Sequence, residues 1–446
     1  MSVPLCSIAR VLPVLLLGAC TSYVARPLPD MPALAAGPAA VVLDSATLPF
    51  RALRAHRFDP DDGLDSVEVT MLAVANNAQL RSARDAAGVS HMQAFAAGLL
   101  PDPQFGFSLD HPTGGTPGAS NAFGVSLGYD LTALLMRSSQ RAIAVADERR
   151  VDLELLWQEW QVVSDAKLLF ARLGSTRRLL AHERAVAGLL RERSLHSQQA
   201  LQLGNLSRDS AAADLILLEV LEHQIDDAER SQLQNGAALN GLLGIAALTP
   251  LQLVGEVEVA TFEPISVRAT QRVRLAQRPD LQALRAGYES EEARLRAAVL
   301  GQFPAFGIAL NQARDNAGVQ STGFALTLSL PILNANRGAI AVEQASRQKL
   351  FDEYQARLGA AESEIDLALA NRMLLAGQLA RVLRAVQELS QMAAQAQAAY
   401  QDRNLPGSDY LRLQLALLDK QVEAEQLRET MTEQTIALEA LLGPIL

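Results

Sequence analysis

Aromatic residues are scarce in this chain, 4% of 446 positions, although 49% of it is hydrophobic. Ala, Leu and Gln fill long stretches instead, a bias toward extended helices and away from a compact α/β core. Basic residues are outnumbered and form no block, and the formal net charge of −10 argues against a nucleic-acid surface. The apolar run at the amino terminus, Val11 to Leu17, is far shorter than the roughly 20 residues that a membrane-spanning helix needs. The six histidines (His56, His91, His111, His182, His196, His223) are scattered, so no metal site and no cofactor is expected. His182-Glu183 lacks the second His of a zinc-protease helix, and the Gly-rich stretch 114–118 lacks the Lys and helix of a phosphate loop. No catalytic residue is nominated, and the chain does not read as an enzyme.

Cysteine is almost absent too, and the amino terminus accounts for both residues. Arg10 precedes the apolar run, and Leu17-Gly18-Ala19-Cys20 follows it, the layout of a cleaved signal peptide. Leu-Gly-Ala-Cys resembles a bacterial lipobox, in which the cysteine is acylated and becomes the first mature residue. The expectation is a signal peptide over 1–19, lipidation at Cys20, and a Pro- and Ala-rich anchor and linker over 20–63. By the same resemblance, Thr21 after the cysteine favours the outer membrane.

The remainder is a unit read twice. Residues 75–131 superpose without a gap on 276–332, setting Ala75-Asn76-Asn77-Ala78-Gln79-Leu80 over Ala276-Gln277-Arg278-Pro279-Asp280-Leu281. Further on, Asn205-Leu206 falls on Asn404-Leu405, and the Leu-Leu-Gly ending at Gly244 falls on the one ending at Gly443. The copies are assigned to 64–249 and 267–446, joined by an equatorial segment over 250–266. Each opens with a helix (Leu64–Leu99, Val267–Leu300) that stops before proline. The hydrophobic period then switches to two. Phe105, Phe107, Leu109 and Phe123, Val125, Leu127, Tyr129 alternate with Gly and Ser. Ile308, Leu310 and Phe324, Leu326, Leu328, Leu330 do the same in the second copy. These patterns predict hairpins over 104–131 and 305–332, with strands suited to a tilted membrane span of about 9–11 residues. Very long helices follow (Arg137–Leu201, Arg337–Asp402), then return helices (Ser207–Leu248, Ser408–Leu442), with Ala- and Leu-rich stripes fit for coiled-coil packing.

Four strands per chain cannot close alone, and an open sheet in lipid leaves edge groups unsatisfied at several kcal/mol each. Two chains would give eight strands, a barrel plugged by its own side chains; three give twelve and a water-filled lumen lined by Gly, Ser and Thr, with a larger ring as the alternative. The expected architecture is mainly α with membrane β: antiparallel helices form an α-barrel tunnel beneath a trimeric 12-stranded β-barrel.

At this point the chain resembles the TolC-type outer membrane efflux proteins, and with its lipobox their lipidated branch. The resemblance is carried by Arg278-Pro279-Asp280-Leu281, by the strand end Ser329-Leu330-Pro331-Ile332-Leu333, by the repeated hairpins and by the closing Leu-Leu-Gly. Copy one departs at the strand end, with Asp130 where copy two has Pro331, and carries about four extra residues before Ala142. The resemblance implies a homotrimer in the outer membrane whose tunnel lies in the periplasm and serves as exit channel of a tripartite efflux pump, with a periplasmic adaptor and an inner-membrane transporter as partners. It also implies a gate at the far tip of the tunnel, where Tyr400 matches a gate tyrosine and Asp409 an aspartate of the return helix. A second aspartate expected one turn on is Arg412, and Asp209 sits near the equivalent point of copy one, offset by one. Adaptor docking falls on the helical turns: Gly204, Asn205, Leu206 and Ser207 in copy one, and Asn404, Leu405, Pro406 and Gly407 in copy two, where Arg403 replaces the glycine. A type I secretion duct and a pore-free periplasmic coiled-coil scaffold lipoprotein are the competing readings.

Overall fold

The computed structural model describes residues 23–114, 120–259 and 262–443. The signal peptide and Cys20 lie outside the described residues. Residues 23–34 belong to a separate unit and show no helix or strand, and 35–446 form the unit that carries every described element.

The first copy runs α1 (Arg51–Ala55), α2 (Ser66–Asn76), α3 (Ala78–Ala97), β1 (Gln104–Asp110), β2 (Ala122–Asp130), α4 (Leu131–Gln202) and α5 (Arg208–Leu242). The second runs α6 (Pro264–Gln277), α7 (Pro279–Leu300), β3 (Ala305–Arg314), β4 (Gln320–Ser329), α8 (Arg337–Gln401) and α9 (Gly407–Leu442). At 1.5 Å per residue, the 72 residues of α4 and the 65 of α8 make rods of about 108 and 98 Å.

Several boundaries differ from the expected ones, each for a local reason. The helix expected over Leu64–Leu99 is broken at Asn77, whose ψ of 128° leaves the helix and whose side chain caps the next one. Its counterpart breaks at Arg278, held extended by the following proline. α4 starts at Leu131, ahead of the expected Arg137, because Asp130 Oδ1 accepts from the Ala133 N–H at 2.9 Å. In copy two Pro331 occupies that place, and the chain turns through Ala335 and Asn336 at positive φ before α8 begins. The extra residues of copy one are therefore additional helix. α5 stops at Leu242 instead of Leu248, and α6 already begins at Pro264, inside the segment expected to be equatorial belt.

α4 packs against α3 and α7 along its first half and against α5 and α9 along its second, while α8 packs against α7 and then α9. The lateral order is α3-α4-α7-α8 next to the sheet and α5-α4-α9-α8 away from it. Two clusters repeat the same contact. Leu80, Val162, Ala166, Phe170, Leu239 and Leu243 form one; Leu281, Ala361, Ile365, Leu369, Leu438 and Leu442 form the other. Each buried Leu contributes about 1.5–3 kcal/mol, so these clusters anchor every helix that passes the equator. Ala35 bridges to Ile245 and Leu64 to Leu253, which ties the amino-terminal strap to the inter-copy segment. Among the described residues, no helix is long and apolar enough to cross a membrane.

Candidate functional site

The sheet is antiparallel in the order β1-β2-β3-β4. Its register sets Phe105 opposite Leu127, Leu127 opposite Leu310, and Leu310 opposite Phe324. One face thus carries Phe105, Phe107, Leu109, Leu127, Leu310, Phe324, Leu326 and Leu328, all solvent-facing; Phe105 is 70% exposed and Phe324 65%. The opposite face carries Gly106, Ser108, Gly124, Ser126, Gly128, Asn311, Gly323 and Thr327. No described element covers the apolar side. A soluble protein hides such a surface, so its exposure implies an apolar medium around it. β1 and β4 leave their outer edges unpaired in the single chain.

Below the sheet, the repeated sequence signatures turn out to be partners of each other. α5 ends against the start of α3, and α9 against the start of α7. Asn76 Nδ2 donates to the Leu243 carbonyl at 2.7 Å and Asn77 Nδ2 to Leu242 at 3.0 Å, while Asn77 Oδ1 caps α3. In copy two Arg278 Nη1 donates to the Leu441 carbonyl at 2.9 Å. The closing glycines, Gly244 and Gly443, sit at φ +66° and +76°, and a Cβ on them would crowd Asn76 and Arg278 respectively. Orphan carbonyls of one helix are thereby satisfied by the residue that opens the next. The Arg278 side chain is wholly buried, paired to both oxygens of Asp280 at 3.0 and 2.8 Å, and stacked 5.0 Å from the Trp157 ring. Burial pushes the Asp280 pKa up, but hydrogen bonds and charge from Arg278 and Arg357 outweigh it and hold the carboxyl below its ordinary range.

At the far end of the helices lie two hairpin turns built alike. Asn205 N–H donates to Ala200 and Gly204 N–H to Leu201; Asn404 donates to Ala399 and Arg403 to Tyr400. Gly204 has φ +74°, and Arg403 is forced to φ +60° at the matching place. Leu206 completes the first turn, and Ser207 Oγ caps α5 by accepting from the Ser210 N–H at 3.2 Å. Leu405 leads into Pro406, which occupies the capping position of α9 without a side-chain cap. Tyr400 stacks on Tyr410 with centroids 5.0 Å apart and planes 4° from parallel. A Cβ on Gly407 would touch the Tyr400 ring at 3.4 Å and reach Arg193 at 3.9 Å, so this tip is closely packed. Asp409 pairs with Arg412 at 3.2 Å. Asp209 and Asp409 both occupy first helical turns, but Asp209 is exposed and makes no ion pair among the described residues. Sequence reading missed Asp214, which is buried between Arg193, at 2.8 Å, and Ser197. A carboxylate among helical Leu and Ala was the available signal.

No protein-family model matches the sequence, and no curated protein matches it in sequence. Solved structures do match. The outer membrane channel CmeC of Campylobacter jejuni superposes at TM-score 0.71 with 16% identity, covering 86% of each chain. The outer-membrane channel OprN superposes at 0.73 with 15% identity, over 95% of this chain and 99% of that one. The open state of the Neisseria gonorrhoeae outer membrane channel MtrE superposes at 0.68 with 18% identity, over 84% and 88%. What this chain shares with them is the fold, long antiparallel helices joined to a four-stranded antiparallel sheet. The fold is that of the TolC-type outer membrane channels, and it spans nearly the whole chain.

Proposed function

We propose that this protein is the outer-membrane exit channel of a tripartite efflux pump, conducting substrates passively from a periplasmic adaptor and inner-membrane transporter to the outside. The observation that carries the reading is the sheet, whose apolar face is uncovered and whose two edges are open, set on helices of 65 and 72 residues. A membrane satisfies the face, and only closure with other copies satisfies the edges. The free flanks of the helical layer support a head-to-tail homotrimer. Ile216 and Val220 on α5 and Leu367 and Leu374 on α8 stand exposed on the two outermost helices. Three copies bring twelve strands together, with the small-residue face toward the lumen.

The tips at 203–207 and 403–407 are the adaptor-docking positions in this reading, and Tyr400, Asp409 and Asp209 lie where a gate would narrow. Three-fold symmetry would set three Asp409 carboxylates around one axis, each held by its own Arg412. Cys20 is assigned as the lipidated residue. Ala35 lies fifteen positions further on, an extended reach of about 50 Å, longer than the roughly 30 Å of the 20-residue α3. The tether therefore suffices to bring acyl chains to the membrane from the equator.

The test is single-channel conductance in planar bilayers with the detergent-purified mature protein and Asp409→Ala. Small cation-selective currents that grow several-fold in the variant support both pore and gate. Currents that the substitution leaves unchanged keep the channel and discard Asp409. A protein that stays soluble once its lipid is removed, and conducts nothing, is a scaffold instead.

A further inference from the structure

We propose that Arg314 marks a binding site for the phosphate of a lipid headgroup at the outer rim of the sheet; the inference rests on the membrane reading above. Arg314 is the last residue of β3 and lies in one cross-strand row with Leu109, Phe123 and Gln320. That row belongs to the apolar face, at the end remote from the helices. Along the described strands, Arg314 is the only charged residue on this face. Polarity there is also uneven. On the β1–β2 half the face stays apolar to its end, at Leu109 and Phe123. On the β3–β4 half the two terminal rows turn polar, with Gln312, Thr322, Arg314 and Gln320.

Among the described residues the guanidinium has no hydrogen-bond or ion-pair partner. Its Nε is shielded from solvent without a hydrogen bond, and Arg314 makes no ion pair among the described residues. The neighbouring carboxylate is already occupied: Asp315 Oδ1 accepts from the Ala317 and Val319 N–H groups, both at 2.9 Å. Arg314 instead lies over the hairpin turn, its Nη2 within 3.6 Å of where a Cβ of Gly318 would stand. An unpaired cation on the lipid side of a strand is costly at mid-membrane and nearly free of cost at the interface. Its place at the rim thus matches headgroup depth. A planar guanidinium offers paired N–H groups to phosphate oxygens, and Gln312 and Gln320 occupy neighbouring positions on the same face, where their amides add donor capacity. An anionic, phosphate-bearing glycolipid of the outer leaflet fits this surface, and a neutral headgroup leaves the charge unmatched.

The experiment compares detergent-purified wild-type trimer with Arg314→Gln and Arg314→Lys. Lipid retention is read by native mass spectrometry after titration with lipid A, a bisphosphorylated glycolipid, or with phosphatidylcholine. Inorganic phosphate serves as competitor. The expected result is half-saturation by lipid A at about tenfold higher concentration in Arg314→Gln, an intermediate value in Arg314→Lys, and no competition by millimolar phosphate. Equal retention by wild type and Arg314→Gln, or equal retention of the two lipids by wild type, overturns the site. Displacement by inorganic phosphate overturns the lipid source and assigns a soluble anion. If Arg314→Gln does not assemble, Arg314→Lys decides, since it keeps the charge and loses the fork. Planar-bilayer conductance of the same wild-type preparation separates the two proposals. A conducting trimer indifferent to Arg314 sinks the headgroup site alone, whereas a protein that enters no bilayer sinks the membrane reading itself.

Discussion

Two carboxylates on α7 show how neighbours set the charge of chemically similar groups. Asp280 faces two arginines and stays ionised. Glu291, in the same helix, is 3% exposed, and its Oε1 has no partner. The carboxyl of Glu343 stands beside it, and Arg294 reaches its other oxygen only at 3.4 Å while holding Asp147 at 2.5 Å. Burial first, and then the Glu343 carboxyl, push the Glu291 pKa from 4.5 up to about 7. The folded state therefore keeps a proton that the unfolded chain releases. The stability linked to that proton is complete below pH 4.5 and is lost as pH rises through about 7. Denaturation midpoints of the detergent-solubilised protein should fall between pH 5 and 8. Glu291→Gln should flatten that slope and add about 3 kcal/mol at pH 8. An unchanged slope would show that the carboxyl is already ionised. Ser90, the counterpart of Glu291 in the repeat, is also buried, so copy one lacks this titration.

At the scale of elements, the two hairpin tips pose the same geometric demand to different residues. The backbone bonds that end α4 and α8 are alike, and both require a left-handed residue next. Gly204 accepts that conformation freely, but Arg403 brings a Cβ that the conformation opposes by about 1 kcal/mol. Arg403→Gly should stabilise the end of α8 by about 1 kcal/mol, measured as slower amide exchange over residues 396–404. Faster exchange would mean that Arg403 makes a compensating contact in the assembly. The repeat alignment already paired these positions, so the turn was legible. The stacking of Tyr400 on Tyr410 was not, because it joins residues of opposite helices.

For the whole molecule, the layer of helices and the sheet share the same pair of open flanks. Edge strand β1 lies on the side of α3 and edge strand β4 on the side of α8. Leu367 and Leu374, seven residues apart on α8, are 62% and 61% exposed and occupy one stripe. In the proposed trimer each would gain about 1.5–3 kcal/mol from burial against the next copy, and three interfaces would share the effect. The double substitution Leu367→Glu/Leu374→Glu should convert the trimer to monomer in light scattering while helix content per chain is retained. A trimer that persists would place the contact elsewhere on the flank.

The sequence by itself determined the local periods: two in the strands, helical in the rods, and the repetition of both. Those depend only on near neighbours, so alternation of Phe107 with Gly106 and Ser108 was enough to predict which face is apolar. It also marked Asn77, Arg278, Gly244 and Gly443 as recurring positions without revealing what they do. Only the tertiary structure decided that these residues meet, since Asn77 and Leu242 lie 165 residues apart and Arg278 and Leu441 lie 163 apart. Likewise, the different protonation of Asp280 and Glu291 depends on what α8 brings beside them, Arg357 for the first and Glu343 for the second. Each carboxyl has an arginine near it in sequence, Arg278 for Asp280 and Arg294 for Glu291, so local context does not tell them apart; burial and the distant partner that folding supplies do.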